Sequence, residues 1–334
     1  MISVLLPVYN AAAALPAALE TTLAQTGASF EVVAVDDGST DPSPAILAHY
    51  ARRDARLRII SRPHRGLVAA LNAGLAACRG ELVARMDADD RMLPGRLAAQ
   101  AALLAQRADL AGCGCPARVE PAAAMTPGAR RYLEWNNSLI TPQDIRRQVF
   151  IESPLIHPTV MLRRAVLEAA GGWREFDGPE DYDLWLRLLF EHDAELAKVS
   201  RTLHVWRDHS DRLTRTDPRY RAAAFLELKT HYLAEYVVRP RNGYVLWGCG
   251  PLGKALLKAL RRQGIERPAA IVEVHPGRLG EIIHGAPVIP PAAVDDYQKY
   301  IHLGAVGQAG SRERLRREFA AHDLREGRDA FFTA

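Results

Sequence analysis

The feature that most narrows the fold is the alternation in the first hundred residues. Short β-branched runs, ISVLLPV, EVVAVDD, LRIIS and ELVARMD, are separated by longer amphipathic stretches, ALPAALETTLAQ, PAILAHYARR and GLVAALNAGLAAC. Strands alternating with helices build βαβ units around a mostly parallel sheet, and ligands of such sheets sit beyond the carboxyl ends of the strands. Those ends are polar here. Tyr9 and Asn10 follow the first run, Asp36 and Asp37 close the second, and Asp87, Asp89 and Asp90 close the fourth. The pattern predicts three polar clusters converging on one rim.

The segment VARMDADDRMLP concentrates negative charge, and a like-charged cluster resists burial unless solvent or a cation compensates it. By itself the cluster leaves two readings open. It caps a helix starting near Pro94, or it binds a hard cation, since Mg²⁺ and Mn²⁺ take oxygen ligands and Mg²⁺ is typically held by one or two carboxylates plus substrate phosphates.

At 334 residues the chain is long enough for two domains. Residues 116–240 are richer in Trp, Arg and His and less regular; RPRNG then reads as a linker, and YVLWGCGPLGKALLKALRRQG begins a new strand, turn and helix. A second, small α/β domain is expected from residue 242. A 48% hydrophobic, 25% charged composition is that of a soluble globular protein, and a net charge of +4 is too small to point to nucleic acid. Cys78, Cys113, Cys115 and Cys249 lack zinc-site spacing and are expected as buried thiols. The N-terminus has no basic region before its apolar run, and no run approaches the ~20 residues that span a bilayer. The expectation is a cytoplasmic protein with at most peripheral contact at the inner face of the cell membrane.

SVLLPVYN, VVAVDDGSTD, GLVAALNAGLAACRGELVARMDADD and GPEDYDLWLRL, in this order and at these spacings, resemble the bacterial family 2 glycosyltransferases of GT-A fold, over residues 1–240. The resemblance implies an α/β protein with a GT-A type, mostly parallel sheet flanked by helices, residues 1–115 binding the nucleotide and 116–240 the acceptor. It implies an inverting, metal-dependent transfer of a sugar from a nucleotide-sugar donor, a UDP-sugar above others, to a hydroxyl of a glycan or lipid-linked acceptor. Pro7, Tyr9 and Asn10 would then line the nucleotide pocket, with Asp37, beside Asp36, bonded to the base. The chemistry agrees, because a carboxylate accepts from an imide N–H and an aromatic ring can flank a base. Arg65 and Asn72 would face the donor.

From the same resemblance, Asp89 binds the divalent metal, Mg or Mn, and Asp87 reaches the ribose or the metal. Asp90 is left to cap the helix. His209 would be a third metal ligand, with Arg207 near the diphosphate. Inversion needs a carboxylate to take the acceptor proton, a role the family gives to the GPEDYD motif: Asp181 as base, Glu180 positioning the acceptor. His157 and Trp173 are placed on the acceptor side, Trp173 as a stacking wall for a sugar ring, with packing as the plain alternative for both.

Beyond residue 242, Gly248, Gly250 and Gly253 form G-x-G-x-x-G after a strand pattern, and Glu273 closes the next strand where a ribose-binding acid would stand. A small Rossmann-like domain over 242–334 with a phosphate ligand is one reading; glycines that merely allow close packing are the other. Two alternatives to a transferase follow. One is an NAD(P)-dependent oxidoreductase using this loop, the other a non-catalytic sugar-nucleotide-binding protein. A nucleotidyltransferase is disfavoured, because no Gly-rich loop bearing Lys or Arg follows LLPVYN.

Overall fold

The computed structural model describes residues 1–122, 125–209, 212–273, 276–308 and 310–334. The chain divides into two compact units, Met1–Pro142 with Leu155–Asp217, and Gln143–Pro154 with Pro218–Ala334.

In the first unit β1 (Ile2–Val8), α1 (Leu15–Leu23), β2 (Phe30–Asp36), α2 (Ser43–Ala51), β3 (Leu57–Ser61), α3 (Leu67–Ala77) and β4 (Leu82–Arg85) follow one another as the alternation predicts. Next come β5 (Arg91–Met92), α4 (Arg96–Gln106), β6 (Leu110–Gly114), β7 (Ala117–Glu120) and α5 (Pro127–Ser138), and α6 (Pro142–Gln148) leads into the inserted segment of the second unit. The chain returns with β8 (Met161–Arg163), α7 (Arg164–Ala169), α8 (Glu180–Phe190), β9 (Glu195–Lys198), β10 (His204–Arg207) and α9 (Leu213–Thr216).

The main sheet has the order β3-β2-β1-β4-β8-β6-β9. Only β8 runs against its neighbours β4 and β6; the other pairs are parallel. β1 and β2 are buried along their whole length, as strands covered on both faces must be. α3 lies close on them because Gly74 lacks a side chain: a Cβ there would meet Leu5 Cδ1 at 2.1 Å and Val35 Cγ2 at 2.8 Å. The chain leaves β1 for β2 and β3 on one side and returns to β4 on the other. The carboxyl ends of β1 and β4 therefore flank the topological switch point, where such sheets bind ligands.

A three-stranded sheet, β5-β10-β7, completes this unit. It pairs Val205 of β10 with Arg91, which brings β10 beside residues 87–90. The core joins Val4, Leu6, Val32 and Ala34 to Leu15, Leu19, Leu97 and Met86.

The second unit contains α10 (Ala222–Tyr232), β11 (Tyr244–Trp247), α11 (Pro251–Arg262), β12 (Ala270–Val272), β13 (Ile282–Ile283), β14 (Ala286–Ile289), β15 (Ile301–Gly304), α12 (Ser311–Ala321) and β16 (Ala330–Phe332). Its sheet order is β13-β14-β12-β11-β15-β16, parallel except for β13 against β14. Val245, Trp247, Phe319 and Phe332 centre its core. The sequence pattern groups α10 with the first 240 residues; in the structure it belongs here, where the partly buried Lys229 donates to the carbonyls of Ile151 at 3.2 Å and Thr333 at 2.7 Å. All four cysteines are free and buried. Among the described residues, no helix is long and apolar enough to cross a membrane.

Candidate active site

The end of β2 organises the first polar cluster. The buried Asp37 carboxylate accepts the backbone N–H of Gly66 at 2.8 Å and of Arg65 at 3.2 Å, and pairs with His64 Nδ1 at 2.8 Å and Arg62 Nε at 3.2 Å. It holds the loop that enters α3. Asp36 Oδ1 accepts from Ser39 N, and Asn10, in a left-handed conformation that Asn tolerates, accepts from Thr40 N at 2.8 Å. Tyr9, half exposed, stacks on the His64 ring with centroids 4.0 Å apart and an interplanar angle of 18°. Pro7 is buried within β1, and Arg65 is exposed. Sequence reasoning overlooked His64; its place beside Arg65 in RPHRG was the available signal.

The end of β4 carries the second cluster. Asp87, Asp89 and Asp90 offer oxygens that all lie within 4.8 Å of one another. Arg85, 4% exposed, pairs through Nη2 with Asp87 Oδ1 at 2.6 Å, while its Nε and Nη1 are buried with no partner among the described residues. Burial would raise the Asp87 carboxyl, but Arg85, His157 and Arg212 outweigh it and hold the group below its usual value. Asp89 goes the other way: burial and then the charges of Asp87 and Asp90 raise it, against a hydrogen bond from His209. Asp90 is pushed up to about 8 by burial and Asp87. His209 Nε2 lies 2.7 Å from Asp89 Oδ2.

Asp89 and Asp90, raised by burial and by neighbouring negative charge, with Asp87 beside them and an imidazole at their edge, form the donor set that a hard divalent cation relieves, so the residues fit such a metal. Asp89 also lines a cavity of about 570 Å³ with Ala14, Ala17, Arg91, Glu120 and Arg207. One expectation is corrected. Asp90 caps no helix: α4 begins only at Arg96 behind a left-handed Gly95, and Asp90 turns inward to β10, because its two oxygens find N–H donors there.

The third cluster opens α8, whose Leu184, Trp185, Leu188 and Leu189 are buried as its periodicity predicts. Glu180 is 2% exposed, and Asp181 is partly exposed with Oδ1 accepting from Tyr182 N at 2.7 Å. Burial and the neighbouring Glu180 raise the Asp181 carboxyl well above its ordinary value. His157 Nδ1 lies 3.5 Å from Glu180 Oε1, and its Nε2 accepts from Trp173 Nε1 at 3.0 Å. Trp173 is 3% exposed, so its ring is packed and presents no open wall. Asn72 does not spend its amide on an open pocket; it accepts from Trp173 N at 3.0 Å and donates to Trp173 O at 2.8 Å. Arg187, fully buried, ties α8 to the same loop through Gly172 O at 2.7 Å and Asp183 Oδ2 at 2.8 Å.

In the second unit Gly253 of the glycine loop has a packing explanation. A Cβ on Gly253 would lie 2.1 Å from Gly248 O, so α11 sits on its own loop only because residue 253 is glycine. Glu273, just past β12, faces Arg278 at 3.8 Å. Among the described residues this unit holds no cluster of metal-ligating side chains.

Residues 3–171 match the family described as Glycosyl transferase family 2. The chain is 34% identical over 117 residues to EpsJ of Bacillus subtilis (strain 168), described as an uncharacterized glycosyltransferase, a stretch covering 34% of this chain and 33% of EpsJ. It thus spans about a third of that relative's length. To WbnJ of Escherichia coli, an O-antigen biosynthesis glycosyltransferase, it is 28% identical over 239 residues, 71% of this chain and 89% of WbnJ. In fold it is similar to residues 1–349 of S. aureus TarS, crystallised with UDP-GlcNAc, with a TM-score of 0.56 at 17% identity over 78% of this chain and 72% of that one.

Proposed function

The chain belongs to glycosyl transferase family 2, and from that premise we propose that it is an inverting, metal-dependent glycosyltransferase moving a sugar from a UDP-sugar to a hydroxyl of a glycan or lipid-linked acceptor. One observation carries the reading: Arg85 pairs with Asp87 at 2.6 Å and its backbone N–H donates to Val160 O at 2.8 Å, close to His157, which lies 3.5 Å from Glu180, so the carboxylates after β4 and those opening α8 stand near one another. The unit of Met1–Pro142 and Leu155–Asp217 carries the transfer in this reading, and the other unit, which contains the small Rossmann-like domain, has a separate role. The UDP-GlcNAc bound to TarS makes UDP-sugars the first donors to test.

Each cluster then has a task. Asp37 is engaged in holding residues 62–66, so Tyr9, stacked on His64, supplies an aromatic face on which a base can lie, with Pro7, Asn10, Asp36 and Arg65 shaping the surroundings. Asp87, Asp89 and His209 would hold a divalent cation, which offsets the negative charge that grows on a departing diphosphate. The acceptor oxygen bonds to the anomeric carbon as the bond from that carbon to the diphosphate oxygen breaks. Asp181 takes the proton that the acceptor oxygen loses, and a carboxyl raised toward neutrality suits that work. Glu180 stays buried behind it. Packing accounts for Gly253, and hydride transfer has no part in this reading.

Thermal-shift titration with nucleotides and nucleotide-sugars, with and without Mn²⁺, tests the proposal. Stabilisation by UDP or a UDP-sugar that depends on Mn²⁺ is expected; no response to any nucleoside diphosphate in either condition would refute it. Release of UDP during incubation with donor and acceptor separates an enzyme from a binding protein.

A further inference from the structure

Asp90 is 1% exposed, and both of its carboxylate oxygens are engaged. His204 Nε2 lies 2.8 Å from Oδ2, and the Arg207 backbone N–H donates to Oδ1 at 2.8 Å. His204 opens β10 and is 0% exposed, with its Nδ1 3.0 Å from Arg96 Nη1. A guanidinium only donates, so Nδ1 is the acceptor and Nε2 carries the proton toward Asp90. Burial, with Arg96 beside the ring, pushes His204 well below its ordinary pKa, which keeps it neutral and the tautomer single. Arg96 is fixed in turn by Arg85 O at 2.8 Å and Gln100 Oε1 at 3.0 Å, and Gln100 donates to the carbonyls of Cys113 and Thr159 at 2.9 Å.

This buried chain ends at the junction of two backbone segments. Asp90 and Arg207 form one rung between them, and Asp89 and His209 form the next at 2.7 Å. The ladder joining β10 to β5 is only two residue pairs long, His204 to Met92 and Val205 to Arg91. Beyond Val205 the hold on residues 87–90 therefore comes from side chains.

We propose that His204 is a positioning residue of the cation site: by pinning Asp90 to β10 it sets the separation of the segments carrying Asp89 and His209, and so preorganises their donors for a divalent cation. The proposal rests on the metal reading above. Residues that orient ligands without touching the ion typically matter 10- to 100-fold in affinity.

Mn²⁺ titration of the full chain, followed by electron paramagnetic resonance of free Mn²⁺ with UDP absent and present, tests it. His204→Phe fills the space but makes neither hydrogen bond, and Mn²⁺ affinity is expected to fall roughly 10- to 100-fold. His204→Gln can still present an N–H to Asp90 and is expected to stay within about threefold of wild type. A folded Phe variant with wild-type affinity, or a Gln variant as weak as the Phe variant, overturns the proposal. Should His204→Phe not fold, Asp90→Asn decides, because His204 and the Arg207 N–H reach different oxygens of Asp90 and an amide accepts at only one of those two positions; a folded Asp90→Asn protein with wild-type affinity also overturns it. A wild-type chain that takes up no Mn²⁺, with or without UDP, sinks the metal reading and this proposal together, whereas the other outcomes leave that reading standing.

Discussion

Trp173 Nε1 lies 3.0 Å from His157 Nε2, and this one bond decides where the imidazole proton resides. An indole N–H only donates, so Nε2 is bare and Nδ1–H is directed at Glu180, 3.5 Å away. Burial and then Arg85 lower the His157 pKa, which keeps the ring neutral in this arrangement. Asn72 clamps the Trp173 backbone from α3, so the buried carboxylate beside Asp181 is oriented through three side chains.

Trp173→Phe keeps the ring and removes the donor. It is expected to leave a buried nitrogen unpaired at a cost of about 1–3 kcal/mol, and to reduce turnover roughly 10- to 100-fold through misplacement of Glu180. Urea unfolding and UDP release measure the two effects. Unchanged turnover in the destabilised protein would confine the bond to a structural role.

Asp181→Asn is expected to reduce transfer by roughly 10² to 10⁴ while nucleotide binding persists. It should also stabilise the protein at neutral pH. A carboxyl whose folded pKa lies above its unfolded value binds its proton more tightly when folded, so ionisation costs stability as pH rises past the unfolded value. The melting difference between Asn variant and wild type should therefore be larger at pH 8 than at pH 4. The reverse order would contradict the raised carboxyl.

Activity should fall on the acid side as Asp181 gains its proton. Glu180 is the largest charge raising Asp181, opposed by Arg85, so Glu180→Gln should lower the Asp181 pKa. The acid limb of kcat/KM then moves to lower pH, even as the maximum rate drops. A limb that stays in place would remove Asp181 as the titrating base.

Mn²⁺ should raise the melting temperature more at pH 8 than at pH 5. The Asp89 carboxyl is raised by burial and its acidic neighbours, and protons compete with a cation for it. At about 100 times its dissociation constant the ion is expected to add about 2.7 kcal/mol. Calorimetry with and without a chelator checks this, and an equal shift at both pH values would count against Asp89 as a ligand.

Gly253→Ala drives a methyl into Gly248 O, 2.1 Å from the ideal Cβ position. A loss of about 1–3 kcal/mol is expected from the forced shift, read from the fluorescence of buried Trp247 during unfolding. An undiminished midpoint would show that the loop needs glycine there for a reason other than packing.

The βαβ order of the first hundred residues and the polar strand ends were legible because both are local. A period of two or of 3.6 states which face is buried, and a turn after a strand states where a polar residue emerges. That is why Tyr9, Asp37 and Asp87 to Asp90 could be placed on one rim in advance. Trp173 and Asn72 were readable only as types; their positions, 101 residues apart, carry no local mark of the bonds between them. His64 and His204 went unremarked for the same reason.

The sequence by itself determined the layered α/β architecture, the family, and the chain positions at which charge gathers. Only the tertiary structure decided what those charges do. Asp90 and His204, 114 residues apart, became partners because a buried carboxylate must find donors among whatever the fold brings near it. That selection follows distance in space, which hydrophobic periodicity does not encode. It turned the expected helix cap into a buried link to β10, and settled Trp173, for which a sugar wall and packing were both open, as a packed ring that hydrogen-bonds His157.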